Sequence, residues 1–264
     1  MSGFAPDWLA LREPYDRRAR SAALADRFAQ ALGPAPRVAD LGCGTGANMR
    51  YLAPRMAQEQ DWLCIDRDPS LLALADAAHG CWRKAGGQGS ARFEAHDLAT
   101  CLEALSGRGI TASALLDLTS AAWLAQVAMR CQQTVLLLAL SFDGRLAWDP
   151  VLAEDAMIRD RFVAHQRTDK GFGPALGPDA ASYLATLLED QGHTVTTVTS
   201  DWRLGPDDRQ MLAAMLEGVI AAAAAIEDDR ALVQWAGLRR AQLARGGLGL
   251  IVGHVDLLAL PEAL

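Results

Sequence analysis

Val38-Ala39-Asp40-Leu41-Gly42-Cys43-Gly44-Thr45-Gly46 decides how this chain is read. A short strand from Arg37 to Leu41 carries an acid near its end and runs into three glycines spaced two apart. Glycine accepts positive φ and has no side chain, so backbone there can approach a ligand closely. The spacing is G-x-G-x-G rather than the G-x-G-x-x-G of dinucleotide binders, which moves the reading away from NAD. A tight turn that holds nothing shows the same pattern, so the surroundings must decide.

Working outward, strand-like and helix-like segments alternate, the signature of a parallel sheet covered on both faces. Ser21 to Leu32 has helical spacing and stops at Gly33-Pro34, and a second helix is expected to start near Ala47. The second strand is read at Asp61 to Ile65, followed by Asp68-Pro69 opening a helix to about His79. A third strand is expected at Ala91 to Ala95, a brief helix at Ala99 to Leu105, and a fourth strand at Ser113 to Leu118. Ser120 to Arg130 reads as helix, and the uniformly apolar Thr134 to Leu140 as a strand buried on both faces. From Asp143 to Pro178 the pattern loosens around a charged helix at Glu154 to Gln166 and a glycine-rich stretch from Gly171. Ala180 to Gln191 resumes as helix, Thr194 to Thr199 is β-branched enough for a sixth strand, and two helices between Asp207 and Arg245 precede a last strand at Gly249 to Leu258.

Acids recur where strands end. Asp66 closes the second strand and can accept both hydroxyls of a ribose, while Asp68 suits the helix N-cap before Pro69. His96-Asp97-Leu98 follows the third strand; Asp97 would accept from an exocyclic adenine amine, with the Leu98 N–H for a ring nitrogen, or would simply cap the next helix. Leu116-Asp117-Leu118-Thr119-Ser120 supplies a further acid, with Trp123 one turn into the following helix and Ser120 also readable as its cap. Acids at successive strand ends converge on the crevice where open parallel sheets bind ligands.

In this order and spacing, residues from about Arg37 to Leu140 resemble the class I S-adenosylmethionine-dependent methyltransferases. The resemblance implies an α/β, Rossmann-like fold: a seven-stranded, mostly parallel sheet with helices on both faces, an antiparallel last strand, and helical insertions after strands five and six. It implies S-adenosyl-L-methionine as cofactor, with Asp40, Gly42, Cys43, Gly44, Thr45 and Gly46 around the methionine part. Asp66 and Arg67 would serve the ribose, Asp97 and Leu98 the adenine, and Asp117, Leu118, Thr119 and Trp123 would flank the reacting end. The family's chemistry is an in-line methyl transfer in which the protein mainly aligns the reactants and removes water. No universal catalytic residue carries over.

The acceptor is expected among Arg18, Ser120, Trp148, His165, Lys170 and Phe172, with His165 and Asp117 as candidate proton acceptors. His165 to Pro174 sets a histidine, an acid and a lysine beside a glycine-flanked phenylalanine, read as a lid, or else as a solvated surface. Arg12, Arg17, Arg18 and Arg20 would clamp a carboxylate of cofactor or substrate, or form an exposed helix face. Asp117-Leu118-Thr119-Ser120 lacks the proline-and-aromatic tetrapeptide of enzymes that methylate nucleobase amines.

Bulk properties bound the function. A chain of 264 residues, 51% hydrophobic, suits a single domain over 1–264, with a helical cap at 1–35, a lid-like insertion at 143–178 and a helical insertion at 203–247. A net charge of −7 argues against nucleic acid as partner. Cys43, Cys64, Cys81, Cys101 and Cys131 form no C-x-x-C pair, so neither a disulfide framework nor a metal site is expected, and a cytoplasmic location is. No uninterrupted apolar run reaches the roughly 18 residues of a membrane helix, so no membrane is expected. The expected partner is a small-molecule substrate, and the chain is expected to be a monomer or a homodimer. The alternatives are a non-catalytic S-adenosylmethionine-binding partner protein and a protein or RNA methyltransferase.

Overall fold

The computed structural model describes residues 5–57, 59–87, 89–100 and 106–262. Two helices, α1 (Pro6–Ala19) and α2 (Ala22–Leu32), precede the sheet. Strands β1 (Arg37–Leu41), β2 (Asp61–Asp66) and β3 (Ser90–Ala95) alternate with α3 (Ala47–Leu52) and α4 (Pro69–Lys84). Then come β4 (Gly109–Ser113), α5 (Ala121–Arg130), β5 (Leu136–Asp149), α6 (Asp155–Gln166) and α7 (Ala180–Glu189). The chain closes with β6 (His193–Thr199), β7 (Trp202–Leu204), α8 (Arg209–Ile226), α9 (Arg230–Ala244) and β8 (Gly249–Pro261).

The main sheet runs β3-β2-β1-β4-β5-β8-β6. The first five of these are mutually parallel, and β8 lies antiparallel between β5 and β6. The order reverses beside β1, which opens a crevice at the carboxyl ends of β1 and β4. An eighth strand, the three-residue β7, pairs with the first part of β8 and extends the seven strands read from sequence.

Alternation along each strand sorts the core. Val38, Trp62, Cys64, Leu137 and Leu258 face Leu24 and Phe28 of α2, Leu52 of α3 and Leu72 of α4. Their neighbours Ala39, Leu41, Leu63, Ile110, Leu136 and Leu138 face Leu124 of α5 and Leu184 and Leu188 of α7. Period-two alternation buried on both sides is what a covered parallel sheet requires. A third core joins the far half of β5, β7 and β8 to α6, α8 and α9 through Phe142, Trp148, Ile158, Leu216, Val219 and Trp235. Helix α8 has the length and apolar composition of a membrane span. Its Met211, Leu212, Leu216 and Val219 belong to this third core, packed with residues of α6 and α9.

Two expectations shift. The fourth strand is Gly109–Ser113, four residues earlier than read, and Leu116–Leu118 form a 3-10 turn instead. Ala114 at φ 53° breaks the strand there. The loosening expected from Asp143 does not begin until Pro150, because β8 continues to pair Leu146 to Asp149 with Val252 to Gly249, past bulges on β5. The helix expected at Ala99 to Leu105 falls partly on 101–105, outside the described residues, and Leu98 to Thr100 are turn.

Candidate functional site

The glycine turn is built by backbone geometry that side chains would obstruct. Gly42, Gly44 and Gly46 all take positive φ, at 64°, 51° and 80°. A Cβ on Gly42 would sit 3.3 Å from Leu115 Cδ1, and one on Gly44 would sit 3.3 Å from Leu9 Cδ1 on α1. The turn is closed by the Gly46 N–H donating to the Cys43 carbonyl at 2.8 Å, and Gly46 then serves as N-cap of α3.

A cleft of about 160 Å³ opens over this turn. Gly42, Cys43, Gly44 and Thr45 form one side, Asp66 and Arg67 the next, and Asp97 and Leu98 the third. Leu118, Lys170 and Phe172 also line it. Asp66 holds two backbone donors, Gly44 N–H on Oδ2 at 2.8 Å and Asp68 N–H on Oδ1 at 3.0 Å. A carboxylate oxygen accepts more than one hydrogen bond, so both remain able to take ligand hydroxyls. Asp97 is exposed at the rim, and its Oδ1 accepts the Ala99 N–H at 2.9 Å in the turn at Leu98 to Thr100.

Other sequence candidates lie behind the lining. Asp40 is fully buried; its Oδ1 accepts from Asn48 Nδ2 at 2.7 Å, and burial pushes its pKa up to about 7. Trp123 is buried and donates its indole N–H to the Leu98 carbonyl at 2.7 Å, fixing the segment after β3. Phe172 meets the Trp123 ring edge-on at 5.1 Å between centroids, so the strap of residues 169–174 is tied to the same pillar. Asp169 anchors that strap by accepting the Gly171 and Gly173 N–H groups at 2.7 and 3.0 Å. Lys170 on it lines the cleft, and burial lowers its pKa. Thr119 is buried and donates to the Leu116 carbonyl, and Ser120 caps α5.

Four candidates stand elsewhere. Asp117 does not reach the lining, although its neighbour Leu118 does. Burial pushes its pKa up to about 6, against partial relief from backbone N–H groups and Arg12. His165 sits at the end of α6 outside the lining, its pKa lowered by burial and then by Lys170. Trp148 is 4% exposed, packed against Trp235 and under the Arg239 guanidinium, because β5 carries it away into the third core. Arg18 is solvent-facing and pairs loosely with Asp208 at 3.7 Å.

Sequence reading underestimated α1. Leu9, Arg12 and Asp16 line the cleft, and Arg12 donates to Asp16 at 2.9 Å while its guanidinium stacks 5.0 Å from the Trp202 ring centroid. Asp16 also accepts from Trp202 Nε1 at 3.1 Å. Glu13 clasps Arg50 of α3 at 2.6 and 3.0 Å, and Arg50 in turn donates to the Thr45 carbonyl at 2.5 Å. The signal available was the spacing of Arg12 and Asp16, four residues apart on one helix face. Ser113, Ala114 and Leu115 enter the lining because β4 ends earlier than expected.

No protein-family model matches the chain, and no curated protein does. Among solved structures, a cyclopropane synthase from Mycobacterium tuberculosis aligns over 97% of this chain and 94% of its own, with 15% identity and a TM-score of 0.50. A SAM-dependent methyltransferase from Geobacter sulfurreducens, solved with S-adenosyl-L-homocysteine, aligns over 98% and 99%, with 17% identity and a TM-score of 0.49. At such identities the likeness is one of fold.

Proposed function

We propose that this chain, which has the Rossmann-like fold of class I S-adenosylmethionine-dependent methyltransferases, binds S-adenosyl-L-methionine in the cleft over β1 and transfers its methyl group to a small molecule. One observation carries the reading. The carboxylate ending β2 is hydrogen-bonded to the glycine turn ending β1, and both line one cleft with Asp97 and Leu98 after β3. That set offers a side-chain-free backbone surface, a carboxylate for vicinal hydroxyls, and an acid beside a backbone N–H for an adenine edge.

The bound cofactor would supply an activated methyl whose sulfonium leaves as a neutral thioether. The chain's own work is alignment and exclusion of water. Helix α1 covers the glycine turn through Leu9, and the Asp169-anchored strap closes the opposite side with Phe172. Between them Leu115 and Leu118 offer apolar wall, and Arg12 and Lys170 offer charge. The chain's net charge of −7 supports a small acceptor over nucleic acid.

Calorimetric titration with S-adenosylmethionine and S-adenosylhomocysteine tests the reading. Binding at about micromolar affinity is expected. Absence of binding by the folded protein sinks it.

A further inference from the structure

Arg12 lies on the face of α1 that lines the cleft, with its side chain 12% exposed. Asp16, one turn on, occupies one edge of the guanidinium: Nε donates to its Oδ2 at 2.9 Å and Nη2 to its Oδ1 at 3.2 Å. The guanidinium lies 5.9 Å from the Trp8 ring centroid and 5.0 Å from that of Trp202, whose indole N–H donates to the same Asp16 Oδ1 at 3.1 Å. One carboxylate and two rings therefore fix the planar fork in one orientation before any ligand arrives. Nη1 bonds to no described residue, yet it is not among the buried partnerless nitrogens, so it keeps accessible surface on a residue that lines the cleft.

Lys170 enters the same lining from the strap. Among the described residues its ammonium donates only to Thr168 Oγ1, at 2.8 Å, because the neighbouring Asp169 is turned to the Gly171 and Gly173 N–H groups. Burial lowers the Lys170 pKa, and no carboxylate offsets the shift. The acids of the lining are unevenly placed. Asp66, Asp68 and Asp97 stand after β2 and β3 beside Arg67, and each accepts a backbone N–H. On α1 and the strap, two cations face one carboxylate, Asp16, which Arg12 already holds. The Asp117 carboxyl, also within the field of Arg12, stays behind the lining. Partly buried positive charge with donors left over is completed by an anion.

We propose that the methyl acceptor carries a carboxylate or a phosphate monoester, and that Arg12 selects it by donating from Nη1, with Lys170 as the second cation. The anionic group is the handle by which the acceptor is held in the cleft. The proposal deepens the methyl-transfer reading and rests on it, and its test separates the two.

Calorimetry on the full chain saturated with S-adenosylhomocysteine compares matched pairs: benzoate with benzamide, glycolate with glycolamide, and phenyl phosphate with its neutral dimethyl ester. In at least one pair the anion is expected to bind about tenfold or more tighter than its neutral partner, and Arg12→Gln to cut that preference to about threefold or less, with S-adenosylhomocysteine affinity unchanged within about twofold. Lys170→Gln is expected to reduce the preference in part. Neutral partners that bind as tightly as the anions overturn the proposal, as does a preference that survives both variants. A loss of S-adenosylhomocysteine affinity in Arg12→Gln that matches the loss of the anion also overturns it, because it puts Arg12 on the cofactor. Should Arg12→Gln fail to fold, Arg12→Lys, which keeps the charge and loses the planar fork, is expected to lose the preference in part and carries the comparison with Lys170→Gln. A wild type that binds S-adenosylhomocysteine and refuses every anion overturns this proposal alone, whereas one that binds no S-adenosylhomocysteine overturns the cofactor reading beneath it.

Discussion

Asp66 Oδ2 accepts the Gly44 N–H at 2.8 Å, so the carboxylate ending β2 holds the glycine turn ending β1 in place. The same side chain accepts the Asp68 N–H at 3.0 Å at the mouth of α4. Asp66→Ala leaves two backbone donors without their charged acceptor, and a loss of about 1–3 kcal/mol in urea unfolding is expected. Ligand affinity is expected to drop more than about tenfold, since the hydroxyl acceptor goes with the support of the turn. Unchanged stability and unchanged affinity together would remove Asp66 from the site.

Asp117 makes a pH-dependent contribution of known sign. Its folded-state pKa, about 6, stands above the ordinary value of 3.8 because of burial. Its contribution is therefore present in full below the ordinary value and is lost as pH rises through about 6. Asp117→Asn avoids the buried charge, so the variant should gain on the wild type by up to about 3 kcal/mol near pH 8 and by little near pH 4. Urea midpoints at the two pH values measure this; an equal gap at both would refute it.

Arg239 is 0% exposed and bonds Asp155, the Pro150 carbonyl at 2.6 Å and Gln242 at 2.8 Å, and Trp235 donates to the same Asp155 oxygen at 2.7 Å. This knot joins α9 to the start of α6 and the end of β5. Arg239→Ala leaves Asp155 short of its partner, and a loss of about 3–5 kcal/mol is expected from equilibrium denaturation, with the cleft's ligand affinity much less affected.

Much of this was legible because the glycine turn and the acids after β2 and β3 are local signals. The turn residues need φ values that only glycine takes easily, and Asp66 and Asp97 sit within a residue or two of their strand ends. The fourth strand was misplaced because Ala114-Leu115-Leu116 has the apolar look of a strand, while the true strand opens with glycine. A residue far away in sequence packs there, since a Cβ on Gly109 would come within 2.4 Å of Leu32 Cδ2 and the leucine would have to shift. The length of β5 was hidden for a related reason: Asp143 and Gly144 read as a stop, and only pairing with β8, a hundred residues on, carries the strand past them. Trp148 was placed at the acceptor by composition alone, and aromatic residues in a core and in a pocket look identical in sequence.

Trp123→Phe keeps the ring that Phe172 packs on and removes the indole N–H bonded to Leu98. A stability loss of about 1 kcal/mol is expected, with weaker binding of adenosine-containing ligands because the Leu98 backbone loses its tether. Thermal melts with and without ligand check both, and a variant equal to wild type in each would show the tether to be idle.

Helix α1 has no fully buried residue; it rests on half-buried Trp8, Leu11 and Tyr15 and is tied down by Glu13–Arg50, Arg18–Asp208 and Asp16–Trp202. The sheet beneath it is held by apolar contacts that salt does not weaken. Two clocks therefore run in one molecule: the unfolding rate, set by the core, is expected to be insensitive to ionic strength, while the rate at which ligand escapes from under α1 rises as its ion pairs are screened.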